Sequence, residues 1–208
     1  MDAELTGNCG ESDAASPVRS ASAPDVAWAL RAAVTADIEV VAELRATVMR
    51  ADLERLGRYD EHRVRQRLRD SFSVRHTSII TVEGELAGCV TVRPARGRHW
   101  LEHFYLAPHC QSRGLGSAVL RTVLERTDAQ GMTVALNVLQ GSAARRLYER
   151  HGFVVEAEDP VDVFMARPPD RSDRVEQDNA DGGAGGGPEA VRKINSAANM
   201  VADLPTRV

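Results

Sequence analysis

A chain of 208 residues is long enough for one ordinary domain with length to spare, or for two small ones. Hydrophobic residues make up 43% and charged residues 27%, the balance of a globular rather than a disordered chain. The formal charge of −4, from 30 acidic against 26 basic side chains, argues against nucleic acid as a partner, because that affinity comes from neutralising phosphates.

Cys9, Cys89 and Cys110 are too few and too scattered for a disulfide framework or a zinc site, so no metal is expected. No apolar run approaches the roughly 18 to 20 residues of a membrane span. The N-terminal stretch starts acidic and lacks an apolar segment, so it does not read as a secretory signal, and a cytoplasmic location is the expectation. Lys193 is the only lysine; the other basic residues are arginines.

Residues 1–25 are rich in Ala, Ser, Gly and acids without hydrophobic period, and read as a disordered tail. A domain is expected over residues 26–168. Residues 169–208 are polar and contain a glycine run at 182–187, the composition of a flexible tail; no Lys-Ser/Thr follows to make that run a phosphate loop.

Within the domain, residues 27–32 (AWALRA) read as a first strand and 35–50 as a helix, with Ile38, Val41, Leu44 and Val48 at helical spacing and Thr35 or Asp37 at its start. Residues 52–72 form a second, highly charged helical region broken near Gly57. Strands at 78–82 and 86–92 are joined by Glu83-Gly84-Glu85, and 100–106 is a third. Leu115, Val119, Leu120, Val123 and Leu124 mark an amphipathic helix that Gly131 stops. Residues 132–139 (MTVALNVL) read as a strand buried on both faces. A short helix at 143–151 is closed by Gly152, and strands at 153–156 and 161–166 finish the domain. This order is an antiparallel meander, one βαβ crossover, a helix and a hairpin: α/β with a mixed, mostly antiparallel sheet, not a doubly wound fold.

The chemistry concentrates after the strand at 100–106, where Gly114-Leu115-Gly116 opens a helix. Glycines there let the backbone approach an anion, and the first helical N–H groups point outward at the positive end of the dipole. Together they suit a phosphate or diphosphate. A P-loop would need Lys-Ser/Thr where Ser117-Ala118 stands, and a dinucleotide fingerprint would need Gly or Ala at Val119; a plain helix start remains the bland reading.

Gln111-Ser112-Arg113-Gly114-Leu115-Gly116 resembles the Q/R-x-x-G-x-G/A acetyl-CoA motif of the GNAT superfamily of N-acetyltransferases, and Leu106-Ala107-Pro108 before it is also similar. Ala144-Arg145-Arg146-Leu147-Tyr148, with Gly152-Phe153, resembles the family's A-x-x-L-Y-x-x-x-G-F signature. The resemblance covers residues 27–167. It implies helices on both sheet faces and a splayed central strand pair, 100–106 and 132–139, with acetyl-CoA in the wedge and no metal.

The resemblance further implies cofactor contacts at Tyr105, Leu106 and Ala107, and along Gln111, Ser112, Arg113, Gly114, Leu115, Gly116 and Ser117. It gives the main-chain N–H of Leu106 the task of polarising the thioester carbonyl, and Tyr148 that of protonating the departing sulfur. Glu102 is the candidate general base with His103 in reserve, since strand alternation sends the two to opposite faces and groups Glu102 with Phe104 and Leu106. Ser142-Ala143 departs from the Asn common in the family; Ser142 can cap the helix instead. Asn137 is a cofactor or acceptor contact, or a partner for a neighbouring strand.

The run His62 to Arg69 reads as a solvated face, with an anionic acceptor as the alternative. Cys110, His109 and His151 read as incidental. The resemblance thus implies an acetyl-CoA-dependent N-acetyltransferase acting on an amine of a small molecule or protein, and it allows a homodimer. A non-catalytic acyl-CoA sensor is the alternative.

Overall fold

The computed structural model describes residues 27–170. The expected tails, 1–25 and 169–208, lie outside these residues except for positions 169 and 170. In chain order the elements are β1 (Trp28–Ala32), α1 (Asp37–Arg55), α2 (Glu61–Ser71), β2 (Thr77–Val82), β3 (Glu85–Ala95), β4 (Arg98–Leu106), α3 (Leu115–Ala129), β5 (Thr133–Leu139), α4 (Ala144–Arg150), β6 (Val154–Glu158) and β7 (Asp162–Arg167). The strands form one sheet in the order β1-β2-β3-β4-β5-β7-β6, antiparallel except for β4 with β5, which α3 connects. The mixed, mostly antiparallel α/β architecture expected from the sequence is the one observed.

The helical boundary near residue 51 is corrected. The first helix runs unbroken to Arg55, because nothing between residues 50 and 55 interrupts its hydrogen bonds; Gly57, at φ +66°, ends it instead. Asp60 then opens α2 by accepting the Arg63 N–H at 2.7 Å. At the start of α1 the Asp37 carboxylate accepts from Val34 N–H and from the Arg31 guanidinium, which holds its pKa below the usual range.

Neighbouring strand residues part to opposite faces. Ile79 and Cys89 pack under α1 and α2 with Val41, Ala42 and Leu68. Ile80, Val90, Leu101, Leu136 and Met165 pack with Val119, Leu120 and Val123 of α3 and Tyr148 of α4. The sheet therefore carries a helical layer on each side.

Two irregularities in β4 shape the centre. Its pairing with β5 is confined to Arg98, His99 and Trp100, opposite Thr133, Val134 and Ala135. Beyond Trp100 the two strands diverge, leaving residues 101–106 unpaired on that edge. On the other edge a bulge places His103 and Phe104 opposite Val90, with His103 at φ +47°. Gly88 of β3 accommodates this strand: a Cβ there would lie 2.2 Å from the Tyr105 carbonyl oxygen, so only glycine fits.

Candidate active site

The divergence of β4 from β5 opens a cavity of about 1110 Å³ that reaches both helical layers. Arg45, Met49, Arg67 and Ser71 line it from α1 and α2; Gly116, Ser117, Ala118, Leu147 and Tyr148 line it from α3 and α4. Its floor is the free edge of β4.

The α3 side is built of backbone. Ser112 and Gly114 both take positive φ, +60° and +80°, which turns the chain sharply into α3. The first intrahelical bond to close is Ala118 N–H to the Gly114 carbonyl at 3.0 Å. Among the described residues no carbonyl accepts from the N–H groups of Leu115, Gly116 and Ser117. Three donors and the positive helix end thus converge where glycine leaves space. Gly116 is not forced sterically, since a Cβ would meet only the tips of Leu106 and Leu147 at 3.4 and 3.5 Å.

Leu106 lies at the junction. Ala107 N–H donates to the Ala87 carbonyl at 2.8 Å, closing the ladder with β3. By antiparallel alternation, Leu106 turns its own N–H and C=O away from β3 and toward the gap. The Gln111 side chain donates to that carbonyl at 2.8 Å, leaving the N–H of Leu106 facing the cavity.

Tyr148 is 7% exposed and packs edge-on against Phe153, ring centroids 5.7 Å apart. Burial first, and neighbouring Tyr105 second, push its phenol above the ordinary tyrosine range. It stays protonated at neutral pH and can donate.

On the α1/α2 side the bulge corrects the expected strand alternation. Thr91 pairs with Glu102 and Cys89 with Tyr105, so Glu102 and Tyr105 share a face three residues apart, while Leu101, Phe104 and Leu106 pack on the α3 side. Glu102 therefore does not sit with Phe104 and Leu106; both its oxygens are held by the Arg93 guanidinium, one at 2.6 Å. His103 lies on the same side, within hydrogen-bond reach of Ser71 (3.2 Å) and Thr91 (3.4 Å) and stacked on Phe72. Burial, with Arg45 and Arg93 nearby, lowers its pKa to about 3, so it is neutral.

The Asn137 amide donates to Asp162 Oδ1 at 2.9 Å, tying β5 to β7 while both residues line the cavity. Ser142 Oγ accepts the Ala144 N–H at only 3.4 Å, and the residue at the cap of α4 is Ala143, so capping by Ser142 is weak. Of the expected cofactor residues, Tyr105, Leu106, Gln111, Ser112, Gly114, Gly116, Ser117, Asn137 and Ser142 line the cavity; Ala107, Arg113 and Leu115 do not. Leu115 is buried in the core and Arg113 is exposed.

Two cavity residues, Arg45 and Asp162, carry no sequence expectation, and Arg67 enters only as one member of the run 62–69, whose alternative reading is contact with an anionic acceptor. The signal for Arg45 was its place four residues after Val41 and four before Met49, on the inward stripe of α1. The arginine run divides by helical face: Arg65 and Arg69 pair with Glu43 and Glu39 on the surface, whereas Arg67 turns inward.

Residues 41–153 match the model of the acetyltransferase (GNAT) family. The fold is similar to that of the PaiA N-acetyltransferase from Thermoplasma acidophilum in complex with coenzyme A, at 19% identity, covering 68% of this chain and 99% of that one, TM-score 0.58. It is also similar to the ribosomal-protein-S18-alanine N-acetyltransferase from Escherichia coli (18% identity, 73% and 100% covered, TM-score 0.54) and to Ard1 from Thermoplasma volcanium (24%, 69% and 98%, 0.53). No curated protein matches the sequence. Among the described residues no group of His, Cys, Asp or Glu could hold a metal ion, and no helix is long and apolar enough to cross a membrane.

Proposed function

This chain belongs to the acetyltransferase (GNAT) family, and from that premise we propose that it moves the acetyl group of acetyl-CoA to an amine by direct attack, both substrates bound together. The observation that carries the reading is one cavity in which the open amides at the start of α3 and the unpaired edge of β4 meet. The fit is chemical. The amides of residues 112–117 suit a diphosphate, and a free strand edge suits the amide groups of a pantetheine arm.

When bound, acetyl-CoA supplies an activated acetyl thioester. The main-chain N–H of Leu106 polarises the carbonyl and stabilises the negative charge that develops on its oxygen. The acceptor nitrogen forms its bond to the carbonyl carbon as the carbon–sulfur bond breaks. Glu102 takes the proton that nitrogen must lose, through water, because its oxygens already engage Arg93. Tyr148 gives its phenolic proton to the leaving sulfur. Tyr105, Asn137 and Ser142 form part of the binding wall around these groups, with Ala107 and Leu115 packed behind it and Arg113 exposed on the loop beside it. Residues 26–168 form the transferase domain in this reading, acting in the cytoplasm.

Calorimetry with coenzyme A, followed by free-thiol release from acetyl-CoA with a broad amine panel, tests it. Binding with turnover of at least one amine is expected. Binding without turnover across the panel would make the chain an acyl-CoA sensor, and no binding at all would overturn the reading.

A further inference from the structure

Opposite the glycine loop the cavity holds two guanidinium groups that, among the described residues, no carboxylate pairs directly. Arg45 is 7% exposed and its buried Nε has no hydrogen-bond partner. Among the described residues neither its guanidinium nor that of Arg67 makes an ion pair, although Arg65 and Arg69, on the same helix as Arg67, are each paired. The outward Arg65 and Arg69 of α2 are thus satisfied, Arg63 is exposed to solvent, and the inward Arg67 is left open toward the cavity. Burial, then Arg45, Arg63 and Arg58, hold the Arg67 guanidinium below its ordinary pKa range.

Asp162 of β7 completes the arrangement on the same side of the sheet. It is 1% exposed, takes the Asn137 amide on Oδ1 and leaves the buried Oδ2 without a partner. Burying a charged or polar group without a partner costs several kcal/mol, so such groups concentrate where a ligand completes them. Arg93 and Glu102 beside them already satisfy each other, so the open valences are two guanidinium forks and one carboxyl oxygen. A guanidinium fork matches a carboxylate bidentately. Asp162, near enough to Arg67 for their charges to interact, disfavours a dianion.

We propose that the acceptor is an amine that also carries a carboxylate, with the carboxylate bound between Arg45 and Arg67 and the amino group oriented by the free oxygen of Asp162. This inference rests on the transferase reading and narrows its substrate class.

The test compares free amino acids, their carboxamides, the matching amines without the carboxyl group, and an aminoalkylphosphonate, by thiol release from acetyl-CoA. The acids are expected to exceed their carboxamides by roughly 30-fold or more in kcat/KM, chiefly through KM. Arg67→Gln, at a partly exposed position, is expected to erase that preference by raising KM for the acids alone. Arg45→Gln serves as the second variant, with Arg45→Lys as the rescue. Amides or plain amines accepted as well as acids would overturn the inference while leaving the transferase reading intact. So would preference for the phosphonate, or no turnover of any member by protein that binds coenzyme A. Absence of coenzyme A binding would remove both readings together.

Discussion

The two walls of the cavity are made of different material. The α3 wall is backbone: amides, a strand edge, and glycines whose contribution is having no side chain. The α1/α2 wall is a set of side chains, Arg45, Arg67, Arg93, Glu102, His103, Asn137 and Asp162, drawn from six separate elements. A backbone site must be written in neighbouring residues, because only a particular local chain path presents consecutive N–H groups. A side-chain site can be assembled from anywhere and changed one position at a time. The first wall is suited to holding an unvarying donor, and the second to specifying an acceptor.

Introducing charge into the backbone wall is the sharpest way to break this contrast. Gly116→Asp puts a carboxylate where a diphosphate is proposed to lie, and like-charge juxtaposition of several kcal/mol predicts an affinity loss of about 1000-fold by calorimetry. The fold itself should not suffer: a Cβ meets only ordinary contacts there, and an acid in the first turn favours the helix dipole. Thermal melting should therefore hold or rise while binding vanishes. Equal loss of both would mean that the glycine serves packing.

Tyr148→Phe tests whether that wall holds a proton donor as well as a binding surface. General acid catalysis predicts a fall in kcat of about 100-fold with little change in KM for acetyl-CoA. No hydrogen bond of the phenol is lost among the described residues, and the contact with Phe153 survives, so stability should change little. Unchanged kcat would leave Tyr148 a packing residue.

The same contrast explains what could be read in advance. The glycine loop, the helix after it, the apolar strand β5 and the Leu147-Tyr148 turn were legible, because each is a contiguous pattern with one physical cause. The end of α1 was misplaced, since Asp52 to Arg55 carry charge on a helix whose inward face continues through Leu53. The facing of Glu102 was misread because strand alternation assumes an unbroken ladder, and the bulge at His103 and Phe104 breaks it. Nothing local announces that bulge, and the close approach of Tyr105 and Leu106 that follows it depends on Gly88 of the neighbouring strand. Arg67 stands in a run in which Arg65 and Arg69 are surface ion pairs, and only the helical face separates it from them.

Gly88→Ala tests that account of the floor the walls share. With the added carbon 2.2 Å from a backbone oxygen, β3 or β4 must move. A loss of about 2 kcal/mol in urea unfolding is expected, the range of overpacking in a well-filled interior. Coenzyme A affinity should fall with it, since the displaced segment of β4 is the edge that faces the cavity.

A pH-dependent effect of similar size concerns the side-chain wall and decides the role of His103. In the unfolded chain this imidazole titrates near its ordinary 6.5; in the fold, burial first and then Arg45 and Arg93 lower it to about 3. Between those values the unfolded state binds a proton that the folded state refuses, so stability falls as pH drops from 6.5 toward 3 and is unaffected above. From pH 7 to pH 5 the native protein should lose about 2 kcal/mol more than His103→Gln, measured by urea unfolding at each pH. For the same reason His103 is neutral across the range where an amine acceptor would be handled, and it does not change protonation there. The rate profile of the substituted enzyme should therefore keep its shape. Loss of a limb between pH 5 and 8 would transfer the base from Glu102 to His103, and with it part of the chemistry now given to the β4 carboxylate.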